Sequence, residues 1–214
     1  MNPDTGDAAQ RRDDLPSLYL ITPQPGDERR AFVRALQASL DGLRVRHGEP
    51  ALVQLRVHGL EPAARDALAR EVLQCCRDHG ARLLLGAGAW QGGSTARLFE
   101  LGADGVHLPA RMLASWREAD TPRGQLLAAS CHDLPQRLRA QALHADLVTL
   151  SPVLPTASHP GATTLGWSGL ARLCHDAVPA VYALGGVGPR HLEAARAAGA
   201  HGVAGIRAFW ACNA

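Results

Sequence analysis

Short apolar runs alternate along this chain with longer stretches in which apolar residues recur every three or four positions. The short runs predict strands, and the longer stretches predict helices, such as one that buries Phe32, Leu36 and Leu40 on a single face. Eight strands are expected, at Leu18 to Thr22, Ala51 to Val57, Arg82 to Leu85, Gly105 to Leu108, Leu126 to Ser130, Leu147 to Leu150, Ala180 to Leu184 and Gly202 to Ile206.

One junction recurs where a predicted helix ends and a strand begins. Its four copies carry Gly80, Gly102, His144 and Gly199 where the end of a helix requires a left-handed residue. Glycine adopts this conformation without penalty, and histidine adopts it less readily. Helix-then-strand units repeated in this way predict a parallel sheet with helical crossovers.

The strand count favours a closed barrel over an open sheet. Eight units fit an α/β fold of the (β/α)8 TIM-barrel type, and no glycine fingerprint follows the first strand, where a dinucleotide-binding fold would carry it. The sequence predicts one barrel domain over residues 17–214 with a short last helix at Ala208 to Asn213. A polar segment at residues 1–16 is expected to be a disordered tail.

Composition and charge argue against several classes of protein. The formal net charge is +2 in 214 residues, and only two tyrosines and three phenylalanines are available for stacking, which gives no support for a nucleic-acid partner. We find no apolar run of membrane-spanning length and no apolar signal segment, so no membrane partner is expected. Five cysteines without CxxC spacing argue against structural zinc and favour a cytoplasmic location.

The clearest candidate site follows the last two predicted strands. The seventh strand runs into Gly185 and Gly186, and a helix that opens on proline comes next. Glycines let backbone N–H groups approach an anion closely, and the loops after the last strands of a barrel commonly bind phosphate. Gly205, Ile206 and Arg207 at the end of the eighth strand are expected to face the same point. The alternative is that the paired glycines only form a tight turn.

Polar residues at the ends of other strands complete the set of candidates. Alternation places Gln54 and Arg56 on one side of the second strand, where a charge turned inward requires an anionic partner. Thr156 belongs to a proline- and serine-rich loop at 151–161, which is interpreted either as a lid or as a passive connection. Ser130 at the fifth strand's end is a further candidate for binding the ligand, whereas the thiol of the adjacent Cys131 is expected to pack rather than react.

Six motifs together resemble the thiamin phosphate synthase/TenI superfamily. The resemblance covers nearly everything from Leu18 to Phe209, and it implies a barrel that binds a thiazole phosphate. The particular residues within these motifs are most similar to those of the TenI-like domain fused to Nudix hydrolases in some bacteria. The six motifs are Val53–Arg56, Gly102–Leu108, Ser130–His132, Ser151–Thr156, Ala183–Val187 and Gly202–Ala204.

The departures from that family bear on the reaction. In the synthases, as the resemblance implies, two aspartates hold magnesium and lysines help to hold a pyrophosphate. This chain has Gly86-Ala87 and Met112 at the aspartate positions, and it has His58 and His159 at the lysine positions. Magnesium requires oxygen ligands, so no metal or other cofactor is expected, and the synthase reaction is disfavoured.

The remaining motifs fit the TenI branch, whose chemistry is a metal-free tautomerisation of a thiazole carboxylate phosphate. The resemblance assigns the acid–base role to His132, and histidine is a side chain suited to taking and giving a proton near neutral pH. His107, inside a predicted strand, is expected to pack or to support other residues. The expected partner is a small phosphorylated thiazole or thiamin phosphate, and a homo-oligomer is possible.

Two alternatives stay open at this point. The chain could be a thiamin phosphate synthase that recruits magnesium through Asp133 or Asp104, although Asp104 is expected at the opposite end of its strand from the site. It could also be a non-catalytic regulator that binds thiamin-type phosphates, because a fold does not by itself establish catalysis.

Overall fold

The computed structural model of this chain describes residues 14–90, 96–156 and 161–210. Eight parallel strands form a closed barrel in sequence order, and the last strand pairs with the first. This confirms the predicted (β/α)8 architecture. The strands are β1 Leu18–Ile21, β2 Leu52–Leu55, β3 Arg82–Gly86, β4 Gly105–Leu108, β5 Leu126–Cys131, β6 Leu147–Leu150, β7 Ala180–Ala183 and β8 Gly202–Gly205.

Helices connect the strands on the outside of the barrel, and their ends follow local sequence signals. A proline opens the second helix and another lies in the first turn of the fourth, where the missing N–H would have no helical partner in any case. Within the described residues, no helix is long and apolar enough to cross a lipid bilayer. The helices are α1 Arg29–His47, α2 Pro62–Asp78, α3 Ala96–Glu100, α4 Leu134–Ala142, α5 Gly166–Cys174 and α6 Leu192–Ala197.

Strand alternation divides the apolar side chains into two layers. Outward-facing residues pack under the helices, where α1 contributes Phe32, Leu36, Leu40 and Leu43 as its periodicity predicts. Inward-facing residues fill the barrel itself, so the interior is a packed core and not a channel. The inner layer consists of Leu15, Tyr19, Ile21, Leu52, Leu84, Leu126, Ala128, Leu147, Tyr182 and Ala204.

The four recurring junctions adopt the predicted left-handed conformation. Gly80, Gly102 and Gly199 have φ angles of 67°, 78° and 85°, and His144 has a φ of 56°. Two of the junctions carry an aspartate that secures the neighbouring strand, since Asp104 Oδ2 accepts a hydrogen bond of 2.7 Å from Leu83 N. Asp146 Oδ2 accepts the equivalent bond from Leu127 N at 2.8 Å. These carboxylates lie at the amino-terminal ends of the strands, far from the predicted site.

The described residues at the two ends of the chain bear on the predicted tail and on the predicted last helix. Leu15 is 5% exposed and belongs to the inner layer, and Tyr182 donates a hydrogen bond to the carbonyl of Pro16, so the predicted tail at residues 1–16 extends too far. At the other end, Arg207–Phe209 form a turn instead of beginning a helix. The aromatic ring of Trp210 packs on Phe32 of α1, with 5.0 Å between ring centroids. Residues 1–13 and 211–214 lie outside the described residues.

Replacing His144 by glycine should stabilise the fold. A side chain in the left-handed region costs about 1–2 kcal/mol, and the exposed pair of His144 with Glu118 contributes little. Because glycine also loses more chain entropy on folding, we expect His144→Gly to raise the free energy of unfolding by about 0.5–1 kcal/mol in urea titrations. The matched control is Ala142→Gly at the end of α4, which should lower it. An unchanged or lower stability of His144→Gly would contradict the conformational argument.

Candidate functional site

A cavity of about 610 Å³ opens among the loops that follow β5, β6, β7 and β8. These loops leave the carboxyl-terminal ends of the strands, the end at which barrels of this type carry their sites. Seven of the ten predicted site residues line this cavity: His132, Thr156, Gly185, Gly186, Gly205, Ile206 and Arg207. The sequence argument missed its apolar wall, which consists of Pro152, Pro155, Ala162, Leu184, Val187 and Ala208.

The paired glycines are required by a neighbouring loop. Gly185 and Gly186 have φ angles of 89° and 70°. A Cβ on Gly185 would lie 2.8 Å from Pro152 Cα, and a Cβ on Gly186 would lie 2.4 Å from the carbonyl oxygen of Pro155. The absence of a side chain therefore lets two loops meet, in addition to leaving backbone groups at the cavity surface. The sequence predicts the second role or a tight turn, and it gives no sign of the loop contact.

The segment 151–156 after β6 is a fixed wall of the cavity. Val153 is fully buried, and its N–H donates a hydrogen bond of 2.9 Å to the carbonyl of Leu184. Leu154 N donates to the carbonyl of Gly185 at 2.9 Å, and the carbonyl of Pro152 accepts from Leu165 N at 2.8 Å. These bonds argue against a lid in this segment, whereas residues 157–160 of the predicted loop lie outside the described residues.

His132 lines the cavity, and one nitrogen of its imidazole is held by a hydrogen bond. Its Nδ1 lies 2.9 Å from the carbonyl oxygen of Ser151 and 3.2 Å from the hydroxyl of the same residue. A carbonyl oxygen only accepts, so the shorter contact places the proton on Nδ1 in the neutral ring. Its backbone N–H donates to Gln136 Oε1 at 2.8 Å, and Asp133 caps α4 through a 2.8 Å bond from Gln136 N. The Nε2 lone pair of His132 is then the basic position of the ring.

The remaining three predicted residues lie outside the cavity lining. Gln54 points into the barrel, is 8% exposed, and approaches Gly86, whose Cβ would lie 3.4 Å from Gln54 Nε2. Arg56 follows β2, and its backbone N–H donates to Thr22 Oγ1 at 3.0 Å. Ser130 lies on β5 as an inward-facing, partly exposed residue. The structure thus brings together the loops after β5 to β8 and leaves the loop after β2 to one side.

A second group of basic side chains collects beyond β2 and β4. The pKa of His58 is lowered, first by burial and then by the positive charges of Arg56 and Arg111. The Arg111 guanidinium also lies over Gly88, where an added Cβ would come 2.7 Å from Arg111 Nη2. Nothing in the sequence pattern singled out Arg111, because its position depends on how two distant loops fold together.

Cys131 on β5 and His107 on β4 pack in the core or support other residues. Burial raises the pKa of the Cys131 thiol to about 12, so the thiol stays protonated at neutral pH, as expected for a residue that packs. His107 is 2% exposed and hydrogen-bonds Tyr19 and Ser130, each at 2.8 Å. Its pKa is lowered to about 3 by burial, and its ring is neutral at physiological pH.

The described residues do not fit a magnesium ion. Gly86, Ala87 and Met112 offer no side-chain oxygen, and the loop beside them faces the Arg111 guanidinium, which repels a cation. The described part of the chain holds no group of three or more His, Cys, Asp or Glu side chains arranged for a metal. Residue His159 lies outside it.

The two aspartates considered as substitute ligands have other structural roles. Asp104 bonds Leu83 N at the amino-terminal end of the barrel, and Asp133 caps α4. This arrangement argues against recruitment of magnesium through either residue.

The class of protein follows from this architecture: a (β/α)8 barrel with its candidate site in the loops after the strands. Sequence comparison identifies the family, because the model described as thiamine monophosphate synthase matches residues 18–209. The chain therefore belongs to the thiamine monophosphate synthase family.

Individual relatives agree with this assignment. A protein of Bordetella avium named thiamine-phosphate synthase is 32% identical over 198 residues, which cover 88% of this chain and 85% of that protein. One of the same name in Thermus thermophilus is 31% identical over 198 residues, covering 91% and 89%. The solved structure of a thiamine phosphate pyrophosphorylase from Pyrococcus furiosus has a TM-score of 0.67 at 20% identity, covering 92% of this chain and 87% of its own, and supports the fold.

A pair of glycine variants should separate backbone conformation from loop packing. Gly186 and Gly59 have φ angles of 70° and 71°, but no atom lies within 4 Å of a Cβ added to Gly59. Each change to alanine costs about 1–2 kcal/mol for the left-handed backbone. Gly186→Ala should lose more free energy of unfolding than Gly59→Ala in urea, because its Cβ would displace the 154–155 carbonyls. Equal losses would show that the loops do not depend on this contact.

Proposed function

We propose that this chain binds a thiazole phosphate in the cavity after β5 to β8 and acts in thiamin biosynthesis. The cavity volume of about 610 Å³ suits a small ligand, and its wall is mainly apolar with a few polar groups, as ring-binding sites usually are. Gly185, Gly186, Gly205 and Ile206 would present backbone groups to the phosphate, with the positive charge of Arg207 at the same edge. Membership of the thiamine monophosphate synthase family supports this class of ligand.

The reaction that the site residues favour is a metal-free proton transfer by His132, as in thiazole tautomerisation. The observation that carries this proposal is the bond between His132 Nδ1 and the Ser151 carbonyl, which leaves Nε2 as a base at the cavity wall. Such a group takes a proton from one ring position and returns it at another. The residues within the sequence motifs resemble those of TenI-like domains fused to Nudix hydrolases, and this resemblance also supports the TenI branch.

The other predicted residues would orient the ligand. Thr156 would hydrogen-bond the ring from the cavity wall. Gln54 and Arg56 would act from the far side of the mouth, with Arg56 facing a second acidic group such as a carboxylate. Because neither residue lines the cavity itself, the ligand would have to extend toward β2 to meet them.

Thiamin phosphate synthesis is the second candidate, and the comparisons favour it. Relatives covering most of the chain are named for that activity. The absence of oxygen side chains at Gly86, Ala87 and Met112 opposes it. The two candidates differ in their need for magnesium and for a pyrimidine pyrophosphate, so one set of measurements separates them.

Binding measurements test the proposed ligand first. Thiazole phosphate should raise the melting temperature of the native chain and bind in calorimetry equally well with magnesium or with EDTA. Formation of thiamin phosphate from thiazole phosphate and pyrimidine pyrophosphate, dependent on magnesium, would establish the synthase instead. No shift with either thiazole phosphate or inorganic phosphate would contradict phosphate binding.

Replacement of His132 tests the proton transfer. His132→Asn keeps an N–H that donates to the Ser151 carbonyl but removes the base, so turnover should fall by about 100- to 10,000-fold with little change in ligand affinity. Hydrogen exchange from the thiazole carboxylate phosphate in deuterated buffer with EDTA provides the assay. His175→Asn, at an exposed histidine, is the matched control and should retain full exchange. Exchange that is absent in the native chain, while the ligand still binds, would identify a non-catalytic binder.

A further inference from the structure

A chain of hydrogen bonds runs from the barrel core to the mouth. Tyr19 on β1 is fully buried, and its hydroxyl lies 2.8 Å from His107 Nδ1 on β4. His107 Nε2 lies 2.8 Å from Ser130 Oγ on β5. Ser130 is the last residue in this series of hydrogen bonds, and it is partly exposed near the carboxyl-terminal end of β5.

The direction of the first bond follows from the burial of Tyr19. Burial raises the pKa of Tyr19, with a further increase from Tyr182, so the phenol keeps its proton. Within the described residues, His107 is the hydrogen-bond partner that the structure gives this hydroxyl. Leaving a buried O–H without an acceptor would cost about 1–3 kcal/mol, and therefore Tyr19 donates to Nδ1 of His107.

The direction of the second bond follows from the first. Because the ring of His107 is neutral, it carries a single N–H. Nδ1 accepts from Tyr19, so the proton lies on Nε2 and is donated to Ser130 Oγ. The Ser130 proton has no acceptor on His107, and it is free to point into the mouth.

We propose that Tyr19 and His107 act as positioning residues that make Ser130 a hydrogen-bond donor committed to the ligand. The group that receives the Ser130 proton would be an acceptor, such as a carboxylate oxygen or an unprotonated ring nitrogen. The identity of the ligand rests on the proposed function, whereas the donor role of Ser130 rests on the two hydrogen bonds and on the neutral state of the buried His107 ring.

The first test reads the tautomer of His107 directly. In protein labelled with ¹⁵N-histidine, the two ring nitrogens give different chemical shifts according to which one carries the proton. At pH 5 His107 stays neutral while exposed histidines become protonated, which identifies its signals. We expect the Nε2–H tautomer in the native protein and a mixture of both tautomers in Tyr19→Phe. The Nδ1–H tautomer in the native protein would overturn the proposal.

The control for Tyr19→Phe is Tyr182→Phe. Tyr182 is also fully buried in the barrel and contacts Tyr19 edge to face, with 5.6 Å between ring centroids. Its hydroxyl donates to the Pro16 carbonyl and takes no part in the chain to Ser130. Tyr182→Phe removes a buried hydroxyl from the same layer, and it should leave the tautomer of His107 unchanged. A mixture of tautomers in this variant would mean that general loosening of the core, and not the Tyr19 bond, controls His107.

The second test measures ligand binding by calorimetry with thiazole carboxylate phosphate and with inorganic phosphate as probes. Ser130→Ala should weaken binding of the thiazole carboxylate phosphate by about tenfold and leave inorganic phosphate unaffected, since Ser130 lies outside the glycine-loop cavity. Equal affinity of Ser130→Ala and the native protein would overturn the proposal. If the native protein fails to bind the thiazole compound, the proposed function fails with it, and the tautomer spectrum still decides whether Ser130 is a committed donor.

Discussion

All eight strands run in the same direction, and each is only four to six residues long. This constraint places every strand-to-helix loop at one end of the barrel and every helix-to-strand junction at the other. Polar side chains that are far apart in sequence therefore meet at a single mouth. The opposite end is closed by the packing of Leu15 and by aspartates that bond strand N–H groups, as Asp104 does. The topology therefore places the candidate site and the helix-to-strand junctions at opposite ends of the barrel.

The candidate site depends on the meeting of two loops. The segment after β6 donates hydrogen bonds to the carbonyls of Leu184 and Gly185, and two glycines leave room for its backbone. This contact fixes Thr156 and the proline-rich wall opposite the loop after β8, and it places the Ser151 carbonyl beside His132. A ligand phosphate and a proton-transfer base would then lie on walls of one rigid cavity, which favours a defined orientation of the ring between them.

The polar groups of the barrel illustrate how a low-dielectric interior selects protonation states. His107 is kept neutral by burial and is satisfied by hydrogen bonds at both nitrogens. The charged side chains Arg56 and Arg111 lie outside this core, where solvent reduces the cost of their charge. The positive charge of Arg111 near Gly88 disfavours a magnesium ion beside the loop after β3.

The sequence by itself determined the fold, because strand periodicity and the left-handed junction residues, including His144, are local properties of the chain. It also predicted the glycine loop and His132 as site residues, and both line one cavity. Tertiary structure alone decided which candidates line the cavity. Tyr19 and His107 are 88 residues apart, and Leu15 is buried only because its barrel end must be closed. Such contacts have no local pattern, since they arise from the packing of residues distant in sequence.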